Sequence, residues 1–201
     1  MSSASSHEIV GRNMQESIAV NQAIVANRML LDIVAKVGQE LAGTLQRGGK
    51  IFFFGNGGSA ADAQHLAAEL VGRFEKERRA LPAIALTANT STLTAIGNDY
   101  SFEAVFARQL EGLGSWGDAA VGISTSGKSP NVLSALRSAK KMGILAVGMT
   151  GHCSPDMAEL VDHCISVPSK RTSRVQEAHI LIGHILCEII DHSLSTDNIT
   201  E

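Results

Sequence analysis

From residue 50 onward, short apolar runs alternate with longer segments that have the spacing of amphipathic helices. Strands joined by helices in this way pair in parallel, because a helical crossover returns the chain to the same end of the sheet. The sequence therefore predicts an α/β fold, a parallel sheet flanked by helices. The predicted strands are 51–54, 83–86, 119–123, 144–149 and 163–167, and the predicted helices are 59–73, 102–113, 130–142 and 173–194.

The segment before the first strand has no strand pattern. Residues 8–47 are expected to form one or two amphipathic helices, which the pair Gly48-Gly49 would end. We therefore predict one domain over 1–201, with N-terminal helices in 1–47 and the α/β part in 48–194.

The final predicted helix, from about Ser173 to Leu194, has apolar residues around most of its circumference, which predicts burial on nearly all sides. A chain of 201 residues seldom buries such a helix together with N-terminal helices. We therefore expect a homo-oligomer in which helices pack between subunits. The alternative is a monomer whose last helix lies across the sheet.

Composition excludes several classes of partner. A net charge of −3 with 17 basic residues gives no broad basic face, which argues against nucleic acid. No apolar run approaches the ~20 residues of a membrane span, and the first residues lack an export signal, so a cytoplasmic location is expected. Cys153, Cys164 and Cys187 are odd in number and lack CxxC spacing, which indicates reduced thiols.

Two loops rich in glycine and hydroxyl residues follow two of the strands, at Gly55-Asn-Gly-Gly-Ser59 and at Ser124-Thr-Ser-Gly-Lys-Ser129. Small residues in front of a helix leave its first backbone N–H groups open to an anion. Because the carboxyl ends of parallel strands share one edge of the sheet, both loops should border one crevice that holds a phosphate.

The second loop also matches the Walker A pattern, from Gly122 to Gly127-Lys128-Ser129. A nucleotide site of that kind needs an acidic residue at the end of another strand to hold magnesium. The other strands end in Thr, Met-Thr and Pro, and Asp118 lies before its strand, at the wrong end. A nucleotide site is thus disfavoured, and a hydroxyl-rich turn without a ligand is the other alternative.

A polar stripe lies on the helix after the first loop, where Asp62, His65 and Glu69 are spaced i, i+3 and i+7. Near a phosphate crevice, Glu69 is a candidate general base, and His65 with Glu69 offers two ligands to a metal. The structural alternatives are a capping box of Ser59 with Asp62, and a solvated His65–Glu69 pair.

Polar side chains also interrupt the apolar final helix. A histidine inside such a helix is usually a hydrogen-bonded core residue. His184 becomes a functional candidate only if it faces Glu69. The interrupting residues are Gln176, Glu177, His179, His184 and Glu188.

The segment Gly97-Asn98-Asp99 has the composition of a turn and is predicted as one. It acquires a functional role if Asn98 and Asp99 reach the hydroxyls of a sugar.

Six short motifs, each weak alone, occur in order along nearly the whole chain. They are Gly55-Asn-Gly-Gly-Ser59, Asp62-x2-His65-x3-Glu69, Leu81-Pro-Ala-Ile-Ala85, Ile96-Gly-Asn-Asp99, Ile123-Ser-Thr-Ser-Gly127 and Gln176-Glu-x-His179-x4-His184. Together they resemble the sugar isomerase (SIS) family, and within it the phosphoheptose isomerases. The resemblance implies a flavodoxin-like parallel sheet between helices, assembled as a tetramer with active sites at subunit interfaces.

The resemblance also implies a reaction, the conversion of sedoheptulose 7-phosphate to D-glycero-D-manno-heptose 7-phosphate through an enediol. This step opens ADP-heptose synthesis for the lipopolysaccharide core. Glu69 and His184 would be the catalytic pair, and one zinc ion per subunit would be held by His65, Glu69, Gln176 and His184. The implied substrate-binding residues are Asn56, Gly57, Gly58, Ser59, Glu69, Asn98, Asp99, Ser124, Thr125, Ser126, Ser129 and Gln176, with Ser124, Thr125, Ser126 and Ser129 around the phosphate.

One part of this implied site conflicts with helix geometry. Gln176 and His184 are separated by ~12 Å along a continuous helix, too far to share one ion easily. Either the helix begins after Gln176, or one of the two ligands comes from a neighbouring subunit.

A member of the same family is not an enzyme: it binds the replication initiator DnaA and resembles this chain. That regulator lacks the acidic residue and the histidine at the positions of Glu69 and His184, both of which occur here. This favours an enzyme. A sensor or an isomerase of another sugar phosphate is the remaining alternative.

Overall fold

The computed structural model describes residues 4–152 and 154–195 and contains one five-stranded sheet. All neighbouring strands pair in parallel, in the order β2-β1-β3-β4-β5, which is the order of a flavodoxin-like sheet and confirms the expected fold. The strands are β1 (Ile51–Gly55), β2 (Ala83–Ala85), β3 (Ala119–Ser124), β4 (Leu145–Thr150) and β5 (His163–Ser166). The helices are α1 (Ser6–Ala26), α2 (Arg28–Gln46), α3 (Gly58–Val71), α4 (Thr90–Asp99), α5 (Ala107–Leu113), α6 (Pro130–Lys141), α7 (Pro155–Ala158) and α8 (Thr172–Ser195).

Alternate residues of the strands feed two separate hydrophobic cores, one on each face of the sheet. Along β1, Ile51 and Phe53 pack with α2, α3 and α8, whereas Phe52 and Phe54 pack with α5 and α6. Both faces are apolar because a parallel sheet in this architecture is covered by helices on both sides. This explains why the strands read as continuous apolar runs.

The face that carries α3 and α8 depends on a close approach between the two helices. A Cβ atom added at Gly183 of α8 would lie 2.6 Å from Cδ2 of Leu66 on α3. Glycine therefore permits the contact, and it brings the polar stripe of α3 next to the last helix.

The helix predicted between β2 and β3 was wrong in both its number and its bounds. Thr90–Asp99 is a helix, and the predicted helix 102–113 is a short 3₁₀ turn at Phe102–Ala104 followed by α5. The amide of Thr92 donates to the Asn89 side chain at 3.0 Å, which caps α4, and Leu93 and Ile96 pack on the core. Capping and packing override the weak helix propensities of Thr, Gly, Asn and Asp.

The two N-terminal helices differ in burial. α2 packs along the sheet, but α1 exposes a series of apolar side chains. On α8, Leu181 and Ile185 are also exposed, so the helix is less enclosed within one chain than its composition predicts. The exposed apolar residues of α1 are Ile9, Val10, Met14, Ile18 and Val25.

Among the described residues, no single helix has both the length and the apolar character of a membrane span, although α1 and α2, bent by 81° at their junction, meet those criteria as a pair.

Cys164 and Cys187 are free thiols, and burial raises the pKa of Cys187 to about 12. Cys153 lies outside the described residues.

His179 is the core histidine that the sequence predicted. It is 1% exposed, and its Nε2 lies 3.1 Å from the carbonyl oxygen of Thr150 at the end of β4, an interaction that ties α8 to the sheet. Burial lowers the pKa of His179 to about 4.

Gly183→Ala should lower the free energy of unfolding by about 1–3 kcal/mol, because the new methyl group forces α3 and α8 apart. Urea unfolding followed by circular dichroism measures this. Gly112→Ala on α5 is the control, since a Cβ atom there meets nothing within 4 Å and alanine favours a helix. Equal stability of the Gly183 variant and wild type would show that the helices tolerate more separation than the packing indicates.

His179 should make folding sensitive to acid. Its pKa falls from 6.5 when unfolded to about 4 when folded, so the unfolded chain binds the proton more readily between those values. Lowering the pH from about 7 to about 5 should therefore remove roughly 2 kcal/mol of stability through this residue. Urea titrations of wild type and His179→Gln at both pH values test this, and an identical pH dependence in the two proteins would contradict it.

Candidate active site

The candidate site lies where the order of the sheet reverses, between β1 and β3. Connections leave these two neighbouring strands in opposite directions, which opens a crevice at their carboxyl ends. Gly55 pairs with Ile123, so both strands end at the same level. The loop after β1 and the loop after β3 therefore border the crevice together, as predicted.

A pair of amides joins the two loops. Asn56 donates to Asn131 at 2.8 Å and accepts from it at 2.8 Å, and Asn131 is 1% exposed. A buried side-chain pair with both hydrogen bonds made fixes the spacing of the loops. Asn131 was not predicted from the sequence, because asparagine is common in the first turn of helices and by itself does not indicate a functional site.

The loop after β3 gathers three hydroxyl groups at the start of α6. Ser124 Oγ lies 2.9 Å from Ser129 Oγ and 3.4 Å from Ser126 Oγ. Ser129 is the N-cap residue of α6, but its side chain makes no capping bond to the helix. Gly127 has φ +65°, which turns the loop tightly. Hydroxyl groups clustered at the N-terminus of a helix suit a phosphate.

The loop after β1 leads into α3 in a related way. Gly57 is the N-cap with φ +56° and no side-chain capping bond. The alternative of a capping box between Ser59 and Asp62 is thus wrong, because both residues lie inside the helix and are buried. The amides of Ser59 and Ala60 donate to the backbone carbonyls of Asn56 and Gly57, so the backbone itself satisfies part of this helix start.

Gln176 of α8 lies against this helix start. A Cβ atom at Gly58 would come 2.3 Å from Nε2 of Gln176, so Gly58 makes room for the amide. Burial raises the pKa of the Asp62 carboxyl, and a hydrogen bond from Gln176 and the charge of His65 partly oppose that shift. Since α8 begins at Thr172, the idea that the helix starts after Gln176 is wrong.

His184 faces Glu69, the condition on which its functional role depended. One ligand atom from each of His65, Glu69 and His184 lies within 4.8 Å of the others. His65 Nε2 is 2.9 Å from His184 Nε2 and 3.3 Å from a Glu69 carboxylate oxygen. Two imidazole nitrogens and a carboxylate that converge in this way form a donor set typical of zinc. The residues therefore fit the ion that the resemblance implies.

An aromatic ring supports this group. Phe74 stacks on the imidazole of His184, with ring centroids 5.6 Å apart and an interplanar angle of 25°. No role for Phe74 was predicted from the sequence.

Asn98 and Asp99 are located differently from the expectation. They end α4 instead of forming a turn, and both are exposed. The Asn98 amide donates to the Asp99 carboxylate at 2.9 Å. The two side chains therefore bond each other, and within the described part of the chain they form no hydrogen bond to either of the two loops.

Asp118, at the amino end of β3, forms a 2.8 Å ion pair with Lys50 on the opposite edge of the sheet from the crevice. It is therefore no partner for a magnesium ion at the second loop, and Lys128 of that loop is exposed. The chain thus has a hydroxyl-lined loop that suits an anion at the crevice, and α3 and α8 hold a carboxylate that can move a proton within a cluster that can hold a metal.

Comparisons with known proteins identify the family. The SIS domain family matches residues 14–151. The phosphoheptose isomerase 1 of Campylobacter jejuni is 55% identical over 185 residues, which cover 92% of this chain and 98% of that protein. The phosphoheptose isomerase of Aneurinibacillus thermoaerophilus is 50% identical over 188 residues, covering 94% and 95%.

Solved structures give the same result. The phosphoheptose isomerase of Neisseria gonorrhoeae superposes with a TM-score of 0.87 at 42% identity, over 94% of this chain and 100% of that one. A non-enzymatic regulator is accordingly not favoured. The chain belongs to the SIS domain family and, within it, to the phosphoheptose isomerases.

Proposed function

We propose that this protein converts sedoheptulose 7-phosphate to D-glycero-D-manno-heptose 7-phosphate, the first step toward ADP-heptose and the lipopolysaccharide core. The observation that carries the proposal is that ligand atoms of His65, Glu69 and His184 converge in a chain whose loop after β3 is lined with hydroxyl groups. Relatives named phosphoheptose isomerase, about half identical to this chain, support the choice of substrate.

The reaction needs a proton to move between C1 and C2 while a second proton moves between the two oxygens. Glu69 is the candidate base for the carbon-bound proton, since a carboxylate can both take and return it. His184, held against Phe74, serves the oxygens or opens the sugar ring. Ser124, Ser126 and Ser129 hold the phosphate, so that binding far from C1 and C2 orients the reacting carbons.

One zinc ion per subunit belongs to the proposal, held by His65, Glu69 and His184. Zinc, when bound, polarises the carbonyl of an open-chain sugar. Gln176 remains the fourth proposed ligand as well as a substrate contact. Because its own amide contacts Asp62, ~12 Å along α8 from His184, a neighbouring subunit is the source that fits.

A homotetramer in the cytoplasm is also part of the proposal. The exposed apolar residues of α1, together with Leu181 and Ile185 of α8, form the surface that a second copy of the chain would cover.

Asn98 and Asp99 are proposed to contact the sugar, on the resemblance alone.

The deciding experiment is incubation of the purified, zinc-supplemented protein with sedoheptulose 7-phosphate and direct detection of the aldose product. Product formation supports the proposal. A folded oligomer that forms no product would transfer the assignment to a sensor or to another sugar phosphate.

Glu69→Gln should lower kcat by about 10²- to 10⁴-fold, because the amide cannot accept the carbon-bound proton. Size-exclusion chromatography should show the wild-type oligomer. Glu188→Gln is the matched control, since Glu188 is an exposed residue of α8. Retention of wild-type turnover by the Glu69 variant would remove this residue as the base.

His65→Ala should reduce the zinc bound per subunit from one equivalent to a small fraction, because a nitrogen ligand is lost. Metal analysis after dialysis measures the stoichiometry without any assay of turnover. His192→Ala, an exposed histidine near the end of α8, should retain wild-type zinc. Equal zinc in both variants would reject the proposed ligand set.

A further inference from the structure

A buried ion pair lies directly behind the His65–Glu69–His184 group. Arg78 Nε is 2.5 Å from Asp191 Oδ1, and both side chains are only 2% exposed. Replacing a buried ion pair with apolar residues is often neutral or stabilising, so such a pair is weak evidence for a role in stability. The location of the Arg78–Asp191 pair next to Glu69 therefore indicates a role other than stability.

One arm of the pair reaches Glu69. Arg78 Nη2 donates to the backbone carbonyl of Glu69 at 3.0 Å, and Nη1 donates to the carbonyl of Leu70 at 2.9 Å. These carbonyls belong to the last turn of α3, where helices leave acceptors without partners. The guanidinium thus fixes the helix turn that carries the proposed base.

Asp191 is connected to His184 indirectly, through the loop that carries Phe74. Asp191 lies two turns after His184 on α8, on the same face of the helix. Its Oδ2 accepts from the backbone amides of Glu75 at 3.0 Å and Lys76 at 3.2 Å. Those amides directly follow Phe74, the ring that stacks on His184.

We propose that Asp191 and Arg78 are positioning residues for the reaction: one buried carboxylate and its guanidinium set Glu69 on α3 and His184 on α8 at their working separation. This inference rests on the proposed function for the roles of Glu69 and His184. Neither residue touches substrate, so both act through the residues that they hold.

Asp191→Asn tests the carboxylate. The asparagine amide keeps the volume, but it can no longer accept from the loop amides and from Arg78 together. We expect kcat and the affinity for zinc each to fall about 10- to 100-fold, as is usual for supports behind a metal ligand. KM should change less than about threefold, because the phosphate loop belongs to β3 and α6 and remains intact.

Arg78→Lys tests the clamp on α3. Lysine keeps the charge that pairs with Asp191, but it lacks the planar fork that also reaches the carbonyls of Glu69 and Leu70. The expected losses in kcat and zinc affinity are of the same kind. If Asp191→Asn fails to fold, this milder variant decides the question.

Asp118→Asn is the matched control for a buried carboxylate in an ion pair, because Asp118 is 3% exposed and lies at the opposite edge of the sheet. It should lower the melting temperature and leave kcat and zinc affinity at wild-type values. All proteins are compared well below their melting temperatures. An equal loss of kcat in this control, or wild-type kcat and zinc affinity in Arg78→Lys, would overturn the proposal.

The readouts separate two failures. Wild-type protein without turnover of sedoheptulose 7-phosphate would refute the proposed function. Zinc affinity, measured by competition with a chromogenic chelator, uses no substrate and still tests whether Asp191 and Arg78 hold the ligands in place.

Discussion

The parallel pairing of β1 with β3 is the constraint on which the rest of the structure depends. Gly55 opposite Ile123 brings the ends of the two strands to one level, and each loop then has only a few residues in which to turn into a helix. A slip by one residue would exchange the two faces of β1 and transfer its phenylalanines to the wrong core. The hydrophobic pattern of the strands therefore places the loops.

The second half of the site needs a different kind of contact. Hydrophobic packing of α3 on α8 brings His65 and Glu69 near His184, and Gly183 permits the close approach. Packing alone leaves helices free to slide by fractions of an ångström. A displacement of that size is large for two groups that must be aligned to transfer a proton. The directional contacts around Arg78 and Asp191 restrict that freedom. Apolar burial thus brings the helices together, and hydrogen bonds fix their relative position.

Sequence patterns predicted the features that depend on nearby residues. The five strands, the two loops and the stripe on α3 all follow from local spacing, and each was confirmed within a few residues. Helix α4 was missed because its residues have weak helix propensity and its stability comes from Asn89 and from core contacts distant in sequence. Asn131, Phe74 and Arg78 were missed for the same reason, since their importance lies in partners far along the chain. Whether His184 faces Glu69 is likewise a property of the packed helices, which no spacing in α8 alone could show.

Helices α3 and α6, at the crevice, begin in a different way from α1, α2 and α4, and so do α5 and α7. Side chains of Ser5, Asn27 and Asn89 cap α1, α2 and α4, whereas α3 and α6, at the crevice, begin without a side-chain cap. An absent cap costs about 1 kcal/mol at each helix. Other bonds replace part of that cap, since the amides of Ser59 and Ala60 in α3 donate to the carbonyl oxygens of Asn56 and Gly57, and the amide of Val132 in α6 donates to Oδ1 of Asn131. A phosphate bound at the crevice would add an acceptor for the first amides of both helices and would bind only the folded chain, so the sugar phosphate should stabilise the fold.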